Sequence, residues 1–207
     1  MKKNETNSIC VKSFNCRGLR NKIKRQSVFN WLNNNSKAIC LLQETHSCEL
    51  YEAEWQSEFS GRTLYSHGTS KSRGVAILIP NNLANEIDIS NVQKDSQGRL
   101  LALNCKIEKN LVTIINVYAP TKDNSSKQDE FINELHRLVE RFCDNPLIIA
   151  GDFNICLDLK LDKKGGLLDE TSNYRNSLLN AMEEYDLVDV WRHRNFDKRQ
   201  YTWGGKG

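Results

Sequence analysis

The chain has 207 residues, of which 39% are hydrophobic and 27% charged, and its formal net charge is +3. This length and composition are those of an ordinary globular protein, and we expect a single domain spanning residues 1–207. No apolar stretch is long enough to cross a membrane, and the first residues lead into no signal-peptide core. These features exclude a membrane-spanning protein and predict an intracellular one with no membrane partner.

Apolar runs separated by polar breaks predict both strands and helices. The polar turn at 109–110 lies between two strands and predicts an antiparallel hairpin. Strands mixed with helices around such a hairpin favour a mixed α/β domain. The predicted strands are 9–15, 38–42, 73–79, 99–107, 111–118, 147–150, 187–191 and 200–203, and the predicted helices are 22–33, 126–142 and 174–185.

The predicted helices differ in how clearly an apolar face can be read. In the helix at 126–142 six apolar residues recur at helical spacing and should face the core: Phe131, Ile132, Leu135, Leu138, Val139 and Phe142. In the helix at 22–33 the pattern is weaker. There we expect the inward face to be formed by Ile23, Val28, Trp31 and Leu32.

The most informative segment is 147–154, with the sequence LIIAGDFN. Its apolar residues predict a fully buried strand, and Gly151 allows a tight turn at the end of that strand. Asp152 and Asn154 are two residues apart, so their side chains point to the same side of an extended chain. A strand running into an Asx turn explains the tetrapeptide equally well, so a function for it depends on the rest of the sequence.

Three more predicted strands end in polar side chains that a core does not require. Asn15 ends the first strand, Glu44 follows the second, and Tyr118 ends the strand at 111–118. Any one of these is commonly just the exposed end of a strand. Together with Asp152 they are what phosphodiester hydrolysis needs. One carboxylate can hold Mg²⁺ and another can orient or deprotonate water, while amide and phenol donors stabilise charge on the phosphate.

Five motifs, in this order and at this spacing, resemble those of the endonuclease/exonuclease/phosphatase superfamily. They are FNCRGL at 14–19, LQETH at 42–46, GVAIL at 74–78, NVYAP at 116–120 and GDFN at 151–154. Within the superfamily, the sequence is most similar to the endonuclease domain of LINE-type (non-LTR) retrotransposons. The segments that carry this narrower resemblance are QETH at 43–46, SRGVAIL at 72–78, LVDVW at 187–191 and YTW at 201–203.

The resemblance implies a four-layer α/β sandwich of two packed mixed sheets flanked by helices, as in DNase I, with the site at one end of the sheets. It implies Mg²⁺ as the cofactor, with Mn²⁺ as a substitute. Carried over by position, it makes Glu44 the principal metal ligand, with Asn15 beside it as a ligand or a phosphate contact. Tyr118 contacts the scissile phosphate, Asp152 positions or activates the water, and Asn154 supports the transition state.

Two basic clusters fit a nucleic-acid partner. The first lies at 17–25 and includes Arg17, Arg20 and Lys22, and the second lies at 192–199. A solvated helix face explains either cluster alone, whereas contacts to backbone phosphates explain both if the site lies between them. The resemblance also places Thr202 on the DNA-binding side. We therefore expect DNA as the partner, action in the nucleus and no obligate protein partner.

One departure from the family pattern bears on activity. Members continue past the YTW segment into a Ser-Arg-Ile-Asp-like strand and a Ser-Asp-His motif, whereas this sequence contains no Asp-His pair. We therefore expect a domain that is incomplete at its C-terminus, lacks its last strands and is inactive or nearly so as a nuclease. It would then be a fragmentary gene model, a decayed element or the N-terminal part of a polyprotein that carries a reverse transcriptase.

The leading hypothesis is an endonuclease that nicks target DNA for target-primed reverse transcription. Two enzymatic alternatives share the fold: an abasic-site repair endonuclease or exonuclease, and a phosphatase or sphingomyelinase-like phosphodiesterase. Repair enzymes of the family usually carry Lys where His46 stands, which favours the retrotransposon reading. A catalytically dead, nucleic-acid-binding remnant is the alternative from a different class.

Overall fold

The structure is a computed structural model that describes residues 9–35, 37–107, 109–121, 125–165 and 172–202. Eight strands lie within this part of the chain: β1 (Cys10–Asn15), β2 (Ala38–Gln43), β3 (Gly61–Ser66), β4 (Val75–Pro80), β5 (Ile87–Lys94), β6 (Leu100–Ile107), β7 (Asn110–Tyr118) and β8 (Leu147–Asp152). The α-helices are α1 (Lys22–Asn35), α2 (Glu52–Glu58), α3 (Asn81–Ala84), α4 (Ser125–Phe142), α5 (Asn173–Glu184) and α6 (Val190–Arg194), and a 3₁₀ turn covers Glu49–Tyr51.

The strands form two mixed four-stranded sheets with the orders β1-β2-β4-β3 and β5-β6-β7-β8. Each sheet contains one parallel pair. In the first, β1 runs parallel to β2 with Asn15 opposite Gln43. In the second, β7 runs parallel to β8 with Tyr118 opposite Asp152. The remaining neighbours are antiparallel, including the predicted β6–β7 hairpin. The two parallel pairs therefore each bring polar residues to the ends of two adjacent strands.

The two sheets pack face to face around an apolar core. Ile39, Leu41 and Ile77 from the first sheet and Leu103 and Ile114 from the second are fully buried and belong to one cluster. On the outer face of the first sheet, a second cluster joins strand residues to side chains of α1 and α2, among them Phe29 and Trp55. The predicted fold class, two packed mixed sheets flanked by helices, is confirmed.

The chain divides into two compact units, the first made of residues up to 119 together with 137–153, and the second of 120–136 together with 154 onward. Both sheets lie in the first unit. In the second unit, the rings of Phe131 and Tyr174 are in edge contact, and His136 Nδ1 lies 2.9 Å from the Tyr185 hydroxyl. Arg192 there forms an ion pair with Asp162. No helix in the described ranges is long and apolar enough to cross a membrane.

Several predicted elements differ from the structure. The strand expected at 187–191 is wrong, because Asp189 caps a short helix, α6, by accepting a hydrogen bond from the Arg192 amide at 2.9 Å. The strands β3 and β5 were missed. Residues 200–202 have no regular structure, and Trp203 of that predicted strand lies outside the described residues.

Two predictions of burial are also wrong. In α1, Ile23 and Trp31 are 77% and 51% exposed, whereas Arg25 and Phe29 are buried along with the correctly predicted Leu32. The inward face of α1 contains an arginine, and this interrupts the periodic spacing of apolar residues from which the face was predicted. The strand β8 is half-buried rather than fully buried, because it is the last strand in the order of its sheet.

Candidate active site

Four of the predicted site residues lie in the first unit, at the ends of the two parallel strand pairs. The Asn15 side chain joins three of them, since its Nδ2 donates to Glu44 Oε1 at 2.7 Å and to Asp152 Oδ2 at 2.9 Å. An amide nitrogen carries two hydrogens and can make both bonds at once. One amide on the first sheet therefore bridges a carboxylate that follows that sheet and a carboxylate that ends the second.

Asn15 is itself held by the loop that follows it. Its Oδ1 accepts a hydrogen bond from the Arg17 amide at 3.0 Å, which is an Asx turn, and the Cys16 amide donates to Gln43 O at 2.8 Å. The amide oxygen thus faces the local backbone and the amide nitrogen faces the carboxylates. In this orientation Asn15 positions Glu44 and Asp152.

Glu44 sits in a strained turn. Its φ is +51° and that of His46 is +55°, both in the left-handed region, which costs about 1–3 kcal/mol per residue. Backbone hydrogen bonds hold the turn, from the Gly18 amide to Glu44 O at 2.7 Å and from the Thr45 amide to Gly74 O at 2.9 Å. Gly74 is required here, because a Cβ would lie 2.5 Å from Thr45 Oγ1.

A buried pair of amides links the two sheets directly beneath the site. Gln43 and Asn116 are 1% and 0% exposed, and Gln43 Nε2 donates to Asn116 Oδ1 at 2.8 Å. Asn116 Nδ2 in turn donates to the carbonyls of Leu42 and Ala76 at 3.0 and 2.8 Å. Sequence reasoning did not assign these two residues a role. The available signal was an amide within each of two otherwise apolar strands, where a buried polar group needs a partner.

Tyr118 is a neutral hydrogen-bond donor at this site. Burial, followed by the negative charge of the neighbouring Glu44 carboxylate, raises the pKa of Tyr118 to about 12. Arg99 acts in the opposite direction on this pKa, since its guanidinium lies 5.5 Å from the centre of the Tyr118 ring. Arg99 also donates to Tyr118 O at 3.1 Å. Sequence reasoning missed Arg99, which lies far from Tyr118 in the chain and reaches it only through the β6–β7 pairing.

The donor set fits a hard divalent cation. Glu44 and Asp152 offer carboxylate oxygens, and Mg²⁺ is commonly held by one or two carboxylates while it keeps several waters and substrate oxygens. Within the described ranges, no three His, Cys, Asp or Glu side chains form a group that could hold a metal ion by themselves, so an ion here would need water or substrate oxygens as further ligands. The carboxylates of Glu44 and Asp152, which Asn15 holds together, therefore fit the ligand chemistry of a hard cation such as Mg²⁺.

His46, which belongs to the same turn as Glu44, is kept neutral. Burial, together with the positive charges of Lys24 and Arg20, lowers the pKa of His46, and Glu44 opposes the shift. The ring packs closely on the loop after β1, because a Cβ at Gly18 would lie 2.8 Å from His46 Nδ1. His46 therefore adds no positive charge beside Glu44 near neutral pH.

The first basic cluster divides into exposed and structural residues. Arg17, Arg20 and Lys22, the predicted DNA contacts, are exposed. Arg20 also lies over the Tyr51 ring at 5.6 Å and donates to a backbone carbonyl. Arg25, by contrast, is 2% exposed and is bound by Glu58 at 2.6 Å and by other acceptors, so it stabilises the fold.

The other two predicted site residues belong to the second unit. Asn154 has a φ of +50° and follows the last residue of the first unit. Thr202 is exposed in the segment after α6. The structure thus brings Asn15, Glu44, Tyr118 and Asp152 together within one unit.

The two packed mixed sheets define the fold of a family that includes nucleases and phosphatases. Residues 13–206 match the Endonuclease/Exonuclease/phosphatase family, and the chain belongs to it. It is 29% identical over 197 residues to the transposon TX1 uncharacterized 149 kDa protein of Xenopus laevis. That match covers 95% of this chain, which spans 14% of the relative's length. The resemblance to the family and to LINE-type elements is confirmed.

Two solved structures share the fold. The AP endonuclease LMAP from Leishmania major is 13% identical, with a TM-score of 0.75, and the match covers 92% of this chain and 70% of that one. A 3′ phosphatase NExo from Neisseria, bound to a product DNA hairpin, is 20% identical, with a TM-score of 0.68, and the match covers 95% and 78% of the two chains. At these identities the likeness establishes the fold alone.

Proposed function

We propose that the chain is the Mg²⁺-dependent endonuclease part of a LINE-type retrotransposon protein. It would nick target DNA in the nucleus, and the new 3′ end would prime a reverse transcriptase carried by the same longer protein. The observation on which this rests is the Asn15 bridge, which holds the carboxylates of Glu44 and Asp152 at one place. The likeness to a transposon-encoded protein supports the retrotransposon assignment.

Each residue of the site has a role that follows from the chemistry of its side chain. Glu44 would hold the ion, which when bound would supply positive charge to neutralise the phosphate oxygens. Tyr118 is protonated at neutral pH, its raised pKa of about 12 extends that state to higher pH, and its hydroxyl donates to a phosphate oxygen. The Asp152 carboxylate orients the attacking water and accepts its proton, while Asn15 keeps both carboxylates in place. Asn154 donates a further hydrogen bond as charge builds in the transition state.

DNA would be bound mainly through its phosphates. Arg17, Arg20 and Lys22 are exposed cationic side chains in the segment that follows Asn15, and Thr202 supplies a further contact. Contacts of this kind position the duplex without reading its sequence. Affinity should therefore fall steeply as salt rises, because each phosphate contact releases counterions.

The test measures cleavage and binding separately, because a protein that binds DNA without cleaving it would contradict the proposal. Supercoiled plasmid is incubated with excess protein under single-turnover conditions, with Mg²⁺ or with a chelator. We expect slow, Mg²⁺-dependent conversion to the nicked form, which Asp152→Asn removes. Asp88→Asn, at an exposed aspartate on β5, is the matched control and should leave the rate unchanged.

Two outcomes distinguish the alternatives. Rapid incision of a duplex with one abasic site, without nicking of intact plasmid, would identify a repair enzyme, the class to which LMAP belongs by name. DNA binding with no Mg²⁺-dependent nicking at any protein concentration would identify a catalytically dead binding protein. Either result contradicts the proposed function.

A further inference from the structure

A chain of four polar side chains runs from the surface of the first unit to the turn that carries Glu44. Glu52 Oε2 lies 2.9 Å from His67 Nε2, and His67 Nδ1 lies 3.0 Å from Ser47 Oγ. Ser47 Oγ is then 3.0 Å from Thr45 Oγ1. Exposure falls along the chain, from 49% for the Glu52 side chain and 11% for that of His67 to 2% and 0% for Ser47 and Thr45. The last member directly follows Glu44 in sequence.

The donors and acceptors of this chain can all be matched. An ionised carboxylate only accepts, so His67 Nε2 must donate to Glu52. In the neutral imidazole Nδ1 is then an acceptor and takes the Ser47 hydroxyl hydrogen, and Ser47 Oγ accepts from Thr45 Oγ1. The Thr45 oxygen is also 3.3 Å from the Ser47 amide, which donates to it. Glu52 thus selects the tautomer of His67 that suits the buried hydroxyls.

The His67 ring is itself held rigidly. It stacks on the Tyr65 ring with the centroids 5.4 Å apart and the planes 15° from parallel. Tyr65 is 6% exposed and makes an edge contact with Trp55, which is 2% exposed. The imidazole is therefore held by the Tyr65 ring on one face and by the Glu52 carboxylate at its edge. It can act as a rigid hydrogen-bond partner for Ser47.

The turn after β2 has a strained backbone that needs supporting contacts. Glu44 and His46 both have positive φ, and residues in that region persist only when their surroundings over-determine them. The backbone supplies bonds from the Thr45 amide to Gly74 O and from the His46 amide to Arg73 O, both at 2.9 Å. Two side-chain tethers are described for this turn: Asn15 donates to Glu44 Oε1 at 2.7 Å, and the hydroxyls of Thr45 and Ser47 bond to each other at 3.0 Å and link the turn to His67.

We propose that His67 is a positioning residue for Glu44, acting through Ser47 and Thr45. The positioning itself follows from the contacts above, and only the consequence for metal binding rests on the proposed function. Outer partners that orient a metal ligand commonly change metal affinity 10- to 100-fold when they are removed. Loss of the His67 bonds should therefore loosen the turn and weaken the metal site without unfolding β2.

The experiment compares the full chain with His67→Phe, which keeps an aromatic ring on Tyr65 but removes both hydrogen bonds, and with His67→Asn, which retains a polar group toward Ser47. Amide hydrogen exchange is followed at Thr45 and His46 and, for comparison, along β2. Mn²⁺ affinity is measured by calorimetry. His136→Phe is the matched control, because that histidine also bonds a hydroxyl through Nδ1 but belongs to the second unit.

In His67→Phe we expect Thr45 and His46 to exchange at least ~10-fold faster while β2 is unchanged, and the Kd for Mn²⁺ to rise ~10-fold. In His67→Asn both the exchange rates and the Kd should lie close to those of the unaltered chain. His136→Phe should change neither quantity. If His67→Phe fails to fold, Ser47→Ala removes the middle link and should give the same local change. Equal acceleration in the turn and in β2, or no change in the turn, would overturn the proposal.

A separate variant keeps the two proposals distinguishable. Glu44→Gln should abolish Mn²⁺ binding if Glu44 is the metal ligand. If Glu44→Gln binds Mn²⁺ as the unaltered chain does, the metal role in the proposed function is wrong. The exchange measurement at Thr45 and His46 still decides in that case whether His67 positions the turn, because it needs neither metal nor activity.

Discussion

The strands β2 and β8 each deliver a carboxylate to the site, but from different surroundings. Each is the parallel partner of a preceding strand, and each leads to an acid, Glu44 after β2 and Asp152 at the end of β8. All six residues of β2 are buried between β1 and β4. In β8 five residues are half-buried and Ile148 is 38% exposed, since within the described ranges β8 pairs only with β7.

The difference shows two ways of fixing a carboxylate in position. Asp152 is part of the ladder itself, opposite Tyr118, and its carbonyl accepts from the Ala119 amide at 2.8 Å. Glu44 lies one residue beyond its ladder in a strained turn, so burial of the strand and the polar contacts of the turn must hold it. We therefore expect the position of the Glu44 carboxylate to depend on contacts of the turn with its surroundings. The position of the Asp152 carboxylate should depend mainly on the regular pairing of β8 with β7.

The largest expected effect is that of Glu44→Ala. In the proposed role of Glu44 as metal ligand, its loss removes several kcal/mol of transition-state stabilisation, so single-turnover nicking should fall by ~10³-fold or more. The fold should survive, because the side chain follows the strand and contributes little to the core. Plasmid nicking and circular dichroism check both halves of this prediction, and a variant that retained more than a few per cent of the rate would contradict the metal role.

Asp152→Asn should lower the nicking rate by ~10²-fold or more, because the amide can no longer accept the proton of the water. The geometry should be retained, since an asparagine at the end of the ladder can still accept from Asn15. The loss should appear in the cleavage rate and not in the Kd for DNA, measured by fluorescence anisotropy. An effect confined to DNA binding would show that Asp152 is a ground-state contact.

A pair of substitutions, one in each strand, tests the comparison of β2 with β8 directly. Leu42→Ala in β2 removes a side chain that is 1% exposed and should destabilise the chain by about 3 kcal/mol. Ile148→Ala in β8 removes one that is 38% exposed and should cost about 1 kcal/mol. Urea denaturation measures both free energies of unfolding. Equal losses would mean that β8 is covered in solution to the same degree as β2.

The smallest expected effect is a pH dependence of the folding stability, which arises from His46 in the turn after β2. Because the folded-state pKa of His46 is lowered, the unfolded chain binds its proton more readily. The corresponding stability is present above about pH 6.5, the ordinary histidine value, and is lost as pH falls below it. His46→Asn, which tolerates positive φ, should flatten the stability between pH 7 and pH 5. An unchanged slope in thermal melts would exclude this origin.

Two elements with a clear pattern inside their own segment, α4 and the β6–β7 hairpin, were predicted correctly, whereas the strand expected at 187–191 was not. The stripe of α4, from Phe131 to Phe142, is buried as expected, and the β6–β7 hairpin forms across its polar turn. The strand ends at Asn15, Glu44, Tyr118 and Asp152 were identified from apolar runs that stop at polar residues. Such signals are local, because hydrophobic period and turn chemistry do not depend on which neighbour a segment finally meets.

What the sequence determined by itself is therefore the kind of fold, the family and the set of polar strand ends. Only the tertiary structure decided that β8 ends its sheet among the described strands, that Arg25 faces inward, that Asn15 joins two carboxylates and that His67 reaches Ser47. These contacts link residues far apart in the chain, and a single side chain carries no local sign of the partner it will meet. Long-range pairing sets exposure and hydrogen bonding, so those properties appear only once the strands are in register.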